Sequence, residues 1–452
     1  MPSPNQSLRR LLTETGWTEQ QLARAVNAAG AETGLTLRYD RSAVSHWLAG
    51  RCPWGPVPAL LAETLSRRLG RPVTLVDAGL SVQRAPDAQQ GPVQQGTEQR
   101  SEDAIDMLVQ LAAFSGERRR LLTNGAYSLA ALAVPAWAQV RDPVRPSCRG
   151  GGQDRLVPGR VDAAEQMMSL FTDADANFGG GRARAALAAY LAYDVAPCLN
   201  APASRPLHAK MLTVATQLTY LCAFMCFDDD QHALAQRYYR AALDLAVRNG
   251  DPAAYAIGLR ALSVQARELG HHRPALQLAE VAASTGRRQF PPERQAFFLG
   301  QVAVAAAADG DRRGAIEALG AAERLLSKAS SAGAATMMGS YHPASLAHQQ
   351  AAVCELLGDR RGAIDAMSAS VRHRPPGERR SRAITTAWLA ELQLAHGHLD
   401  EAVVTWHSFL DDYPYLRSGR ATAALKRLRS MLRPHAANKS AARLLTQAAA
   451  LA

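Results

Sequence analysis

Apolar residues near the start of the chain recur at helical spacing and stop at residues suited to capping. In "LRRLLTETGWTEQQLARAVNAAG", Leu8, Leu11 and Leu12, then Trp17, Leu22 and Val26, mark the inner stripes of two short amphipathic helices joined at Gly16. Thr18 can N-cap the second helix, with Gln21 three residues on as its capping-box partner. In "RYDRSAVSHWLAGRCP", Asp40 or Ser42 can cap a third helix that turns Val44, Trp47 and Leu48 inward, and "PVPALLAETLSRRLG" supplies a fourth. Residues 1–83 are therefore expected to form a small helical bundle.

Beyond it the pattern changes. Residues 84–101 lie in the Gln-rich, Pro/Gly-punctuated "QRAPDAQQGPVQQGTEQRSED" and have the composition of a flexible linker. Residues 102–206 hold helical segments broken by "RDPVRPSCRGGGQDRLVPGR", a basic loop expected to be mobile. Within this region "RRRLLTNGAYSLAALAVPAWA", from Arg118, is too short and interrupted to span a bilayer and is expected to be a buried helix. From 207 to 433 apolar helical periods alternate with turns at Gly, and 434–452 form a helical tail.

The longest region is internally repetitive. "GDRRGAI" occurs at Gly310 and again at Gly358, with looser relatives at Gly270 ("GHHRPAL"), Gly397 ("GHLDEAV") and Asp230 ("DQHALAQ"). Aligned on these anchors, Ala223, Ser263, Ala303, Ala351 and Ala390 fall seven residues before, and Ala235, Ala275, Ala315, Ala363 and Ala402 five residues after. A third series, Ala242, Ala282, Ala322, Ser370 and Phe409, falls twelve after. Small residues at these offsets let two antiparallel helices approach closely, with the anchor in the left-handed conformation that closes the first. Neither "GDRRGAI" is followed by the lysine of a phosphate loop or preceded by a strand, which makes a nucleotide loop a poorer reading than a repeat turn there.

With its small residues at these offsets, this run resembles the tetratricopeptide repeats. The resemblance implies an all-α fold in which the first helix of each pair lines a concave wall. The anchor spacing exceeds that family's usual period, and the aromatic expected in the first helix is mostly missing. Tyr220, Phe224, Arg260, Arg267, His348, Glu355 and Glu391 are the candidates for that wall, a mixture suited to a peptide or small polar ligand and equally to self-association.

A second resemblance lies at the amino terminus. "TEQQLARAV" followed by "DRSAVSHWLAGRCP" is similar to the helix-turn-helix of the lambda-repressor-like, or xenobiotic-response-element, regulators, whose second motif helix enters the major groove. This implies that Arg41, Ser42, Ser45 and His46 face the bases, that Arg51 holds a phosphate, and that Gln20 and Gln21 meet the backbone. Glu19 stands where that family has a glutamine, and "NAAGAETGLTLRYD" makes the connection between the motif helices unusually long.

The charge agrees with an acidic partner. The formal net charge is +11, and 47 of the 51 basic residues are arginines, a bias that also fits a GC-rich genome. The six cysteines show no paired ligand spacing, and Cys222 and Cys226 fall on one apolar helix face as buried free thiols in a reducing compartment. No metalloprotease, nucleophile-elbow, Walker or dinucleotide motif is present, so neither catalysis nor a cofactor nor a metal is expected. The amino terminus carries no secretory signal pattern. A helix-turn-helix joined to such repeats resembles bacterial, in particular actinobacterial, regulators whose repeats sense a signalling peptide. That resemblance implies a cytoplasmic homodimer binding double-stranded DNA, with a peptide or small-molecule effector and no membrane. The alternative is a scaffold or adaptor that uses both parts for protein interaction.

Overall fold

Capping decides where the helices of the first unit begin and end. The computed structural model describes residues 4–32, 35–53, 55–70, 73, 75–80, 104–113, 127–132, 134–135, 137–140, 155–285, 290–328 and 341–451. The linker at 84–101, Cys148 and most of the basic loop lie outside these residues. The chain divides into two compact units, Met1–Val134 with Gln231–Leu234, and Pro135–Asp230 with Ala235–Ala452. All regular elements among the described residues are helical.

In the first unit, α1 (Gln6–Thr15), α2 (Glu19–Glu32), α3 (Arg41–Leu48) and α4 (Val57–Leu69) surround one core, with α5 (Ala104–Ala113) following. Asn5 caps α1 by accepting from the Leu8 N–H at 2.9 Å, and its amide donates to the carbonyls of Ala78 and Gly79, tying the two ends of the bundle together. Gly16 closes α1 at φ 67°. The predicted capping box forms: Gln21 N–H donates to Thr18 Oγ1 at 3.2 Å, and Thr18 N–H donates to Gln21 Oε1 at 2.8 Å. Leu8, Leu11, Leu12, Leu22, Val26, Val44, Trp47 and Leu48 are buried together, with Trp17 partly buried against them.

The stretch expected to be one buried helix from Arg118 is not helical where it is described. Ala130–Leu132 and Trp137–Gln139 form short 3-10 turns. Pro135 lacks the N–H that a continuous helix needs there, and buried anchors hold each side within its own unit. Leu129 N–H donates to Glu63 Oε2 at 2.7 Å in the first unit, while Tyr255 donates to the Pro135 carbonyl at 2.7 Å in the second.

The second unit starts with α6 (Pro158–Phe178), α7 (Gly180–Tyr190) and α8 (Ala196–Asn200), the last two joined through a π turn at Leu191–Val195. Five helix pairs follow: α9 (Arg205–Asp228) with α10 (His232–Asn249), α11 (Pro252–Glu268) with α12 (His272–Ser284), and α13 (Pro292–Asp309) with α14 (Arg312–Leu326). Then come α15 (Pro343–Leu356) with α16 (Arg360–Arg372), α17 (Arg379–Ala395) with α18 (Leu399–Asp412), and the closing helices α19 (Gly419–Leu432) and α20 (Lys439–Ala450). Every anchor sits in the turn between the two helices of its pair with positive φ: Gly270, Gly310, Gly358, Gly397, and Asp230 at 58°. Asp230 is the one non-glycine residue in that region of conformational space among those described, standing where its relatives have glycine.

All fifteen small or apolar positions of the three aligned series are buried. They let the backbones close up, as where Ser263 donates to the Ala275 carbonyl at 2.7 Å between α11 and α12. In both copies of "GDRRGAI" the Asp caps the second helix, Asp311 accepting from Gly314 and Asp359 from Gly362, each at 2.9 Å. The arginines between them are exposed. This is a helical array of tetratricopeptide-like pairs. First helices of 17 or 18 residues in α11, α13 and α17 account for part of its long period, and the first helix that precedes the first anchor, α9, reaches 24. That longest one, α9, is apolar enough to cross a membrane by length and composition, and most of it is buried in this unit, Cys222 and Cys226 included.

Candidate functional sites

On the first unit, α3 is fixed from within and open without. Asp40 caps it by accepting from Ala43 N–H at 3.1 Å, and Tyr39 meets Trp47 edge-on with ring centroids 5.1 Å apart. Of the long connection before it, residues 35–40 are described and are held by Asn27. Its amide donates to the Tyr39 carbonyl at 2.8 Å and its carbonyl accepts from Tyr39 N–H at 2.9 Å, while Leu35 inserts into the core. Extension of α2 to Glu32 and this pinned loop absorb the extra length.

Arg41, Ser42, Ser45, His46 and Arg51 are all exposed. Arg41 lies 3.5 Å from Glu19 Oε2 with its own side chain 79% exposed, a pairing worth little in water. Gln20 Oε1 accepts from the Arg41 N–H at 3.3 Å, so this glutamine joins α2 to the start of α3. Gln21 is occupied by the capping box. The carbonyl oxygens of both glutamines are thus engaged within the unit, and their amide nitrogens are what they can still offer a backbone.

On the second unit, the first helices curve round until the array closes on itself. Arg380 of α17 donates to Asp175 Oδ2 of α6 at 2.9 Å and lies 3.7 Å from Asp228 Oδ1 at the end of α9. Gly180 N–H donates to the other oxygen of Asp228 at 3.0 Å. Burial pushes the Asp175 carboxyl up to about 6 against the pull of Arg380, and Asp228 adds to the rise. Helix α6 therefore bridges the first and fifth pairs.

On this face lies a half-open cavity of about 250 Å³ lined by Phe224, Arg260, Phe297, Tyr341, Ser345, His348, Gln349, Arg374, Arg380, Ser381, Ile384, Thr385 and Arg420. Arg260 lies over the Phe297 ring at 3.7 Å from its centroid and donates to the Phe297 carbonyl at 3.3 Å. Tyr341 donates to Gln349 Oε1 at 2.6 Å, beside Gly300, where a Cβ would come 2.8 Å from the Tyr341 hydroxyl. Burial and the fields of Arg374, Arg420 and Arg267 lower His348 to about 3, and its ring meets Trp388 edge-on at 5.1 Å.

Three of the seven wall candidates, Phe224, Arg260 and His348, line this cavity. The other four do not. Tyr220 is buried against Tyr239 with ring centroids 5.5 Å apart, and burial raises its hydroxyl to about 12. Glu391 pairs with Arg427 of α19 at 2.9 Å, Arg267 has its guanidinium desolvated further along α11, and Glu355 is exposed near the end of α15.

In the second to fifth pairs the difference is depth along the first helix. On α9 it is set by packing, since Phe224 lines the cavity six residues before its anchor and Tyr220, ten before, does not. Arg260 and His348 stand ten residues before their anchors; Phe297, Ser345 and Ile384 stand thirteen before theirs. Extending the repeat alignment to that earlier position would have found these three. Arg374 and Arg420 lie outside the first helices and carry no such signal.

Residues 8–81 match the family described as the SP15 N-terminal domain. No curated protein matches the chain. Among solved structures, the chain is similar to a Podosopora anserina protein with nearly identical TPR-like repeats, assigned to the kinesin light chains, at 19% identity and a TM-score of 0.33. The match covers 44% of this chain and 95% of that one. A single-substitution variant of that protein matches at 18% identity with the same TM-score and coverage. The repeat architecture of this chain rests on its own turns and buried small residues.

Proposed function

We propose that this chain is a DNA-binding transcriptional regulator of a bacterial cytoplasm, whose first unit docks α3 in the major groove and whose repeat unit handles an effector or a second subunit. The observation that supports it is the outer side of α3. Ser42, Ser45, His46 and Arg51 are exposed and their side chains have no partner among the described residues, while Val44, Trp47 and Leu48 lock the same helix into the core. A helix held from one side and polar on the other suits base edges, with Arg41 placed to bond a guanine bidentately. The net charge of +11 favours the encounter. One such small module binds weakly, so a homodimer reading two half-sites is part of the proposal.

The test is selection of the full-length protein on a random double-stranded library, followed by titration of the enriched sequence. Arg41→Ala is expected to cost about 1–3 kcal/mol on that sequence and to relax the preference at one base pair. Failure of the wild type to enrich any sequence, with no salt-dependent retention, ends the regulator reading. The outer side of α3 would then belong to an adaptor's protein contact, a use that the array of tetratricopeptide-like pairs favours.

A further inference from the structure

We propose that the cavity on the closed face of the repeat unit is a binding site for a small molecule carrying a phosphate or carboxylate group. This rests on the effector role given to the repeats but not on DNA binding. Four guanidinium groups, from Arg260, Arg374, Arg380 and Arg420, line the space, and no carboxylate does.

Three of the four have acidic partners among residues that do not line the cavity. Arg374 pairs with Glu378 at 2.8 Å, Arg380 with Asp175, and Arg420 with Glu268 at 3.6 Å. Those partners hold the guanidiniums in place without lining the space. Arg260 has a carbonyl, an aromatic face and the nearby hydroxyls of Tyr220, Tyr239 and Tyr341 around it, and no carboxylate of the described residues pairs with it. Burial without a counter-ion lowers its pKa, which is the cost of keeping a cation there.

Two further groups point the same way. Arg374 has only 7% of its side chain exposed, and its Nε has no hydrogen-bond partner among the described residues. The same is true of His348 Nδ1. A buried donor left open beside an unpaired arginine is what an incoming oxyanion satisfies, and guanidinium forks match phosphate and carboxylate bidentately. His348 stays neutral well below neutral pH, so it offers a hydrogen bond without adding charge. Phe224, Phe297 and Tyr341 supply apolar walls for the rest of the ligand. At about 250 Å³ the space falls below the roughly 300–1,000 Å³ of pockets for drug-sized ligands, so the occupant is compact.

Thermal unfolding and calorimetric titration of the full-length protein with inorganic phosphate, pyrophosphate and citrate, against potassium chloride at matched ionic strength, test this. A saturable rise in melting temperature with phosphate or pyrophosphate assigns a phosphate-bearing ligand; a rise with citrate alone assigns a carboxylate-bearing one. Arg260→Met is expected to weaken the effective anion at least tenfold while the ligand-free protein melts no lower than wild type. Should that variant not fold, Ile384→Trp, which keeps every charge and fills the space, is expected to abolish the signal. No saturable response from any anion overturns the proposal. So does a response that survives both variants, or one lost in Arg41→Ala instead, which would place the anion on the first unit. All these titrations are made without DNA, so loss of DNA recognition and loss of this site are read separately.

Discussion

At the residue scale, most of what matters is a choice of backbone conformation or an uncompensated charge. Gly310 adopts φ 87° with nothing within 4 Å of where a Cβ would stand. Gly310→Ala therefore isolates the cost of left-handed backbone, expected at about 1 kcal/mol and seen as a drop of roughly 2–4 °C in the melting of the repeat unit. An unchanged melting temperature would mean that the turn does not constrain that residue. His348 gives a pH signature of defined sign. Its folded pKa of about 3 lies below its unfolded value, so the unfolded chain takes up the proton first on acidification. Its contribution is present above the unfolded pKa near 6.5 and is lost as pH falls toward 3. His348→Gln should gain stability relative to wild type between pH 7 and pH 4, by at most about 1.4 kcal/mol per pH unit, in denaturant titrations at several pH values. Parallel pH profiles for the two proteins would refute the burial of that ring.

At the element scale, the connection between α2 and α3 and the bridge from α6 decide whether the sites exist at all. Asn27 makes two hydrogen bonds to Tyr39, and Tyr39 packs on Trp47 of α3. Asn27→Ala should cost about 1–3 kcal/mol in the first unit and increase hydrogen exchange along residues 35–40 while α2 stays protected. Arg380 serves Asp175 and Asp228 at once. Arg380→Ala leaves two buried carboxylates facing each other and should destabilise the repeat unit by about 3–5 kcal/mol, with early hydrogen exchange in α6. Uniform exchange across the unit would show that α6 is not held separately by this contact.

The same scale shows what sequence patterns reach and where they stop. The anchors and their small companions were legible because each repeat must satisfy the same steric demand, and Asp230 took the glycine position in φ as well as in alignment. The inner stripes of α1 to α3 were legible from their helical periodicity. The 3-10 turns around Pro135 were not, because anchoring by Glu63 and Tyr255 comes from residues far along the chain. Nor was the position of the cavity. Tyr220 and Phe224 are one helical turn apart on α9, yet one packs on Tyr239 and the other lines the space, and neighbouring helices make that difference.

At the scale of the whole molecule, the two proposals call for two distinct receptions of an acidic partner by a basic chain. The proposed recognition of DNA by exposed arginines would work through counterion release and should show a steep linear fall of log affinity with log salt. Arg51→Ala should weaken binding to every sequence alike and reduce that slope by about 1, whereas Arg41→Ala should act mainly on the preferred sequence. A slope unmoved by Arg51→Ala would remove that residue from the backbone contact. The cavity arginines of the repeat unit are screened much less by salt, so ionic strength should separate the two kinds of binding.

By itself the sequence determined the helical class, the frame of five helix pairs, the capped four-helix bundle and the outward row from Arg41 to Arg51. These follow from periodicity, capping and small-residue spacing, which act over a few residues and repeat. Only the tertiary structure decided that α6 joins the two ends of the array and that Arg260, Arg374, Arg380 and Arg420 share one cavity. These residues are brought together by contacts between helices far apart in the chain, α6 with α9 and α17 among them, and no local pattern records such contacts.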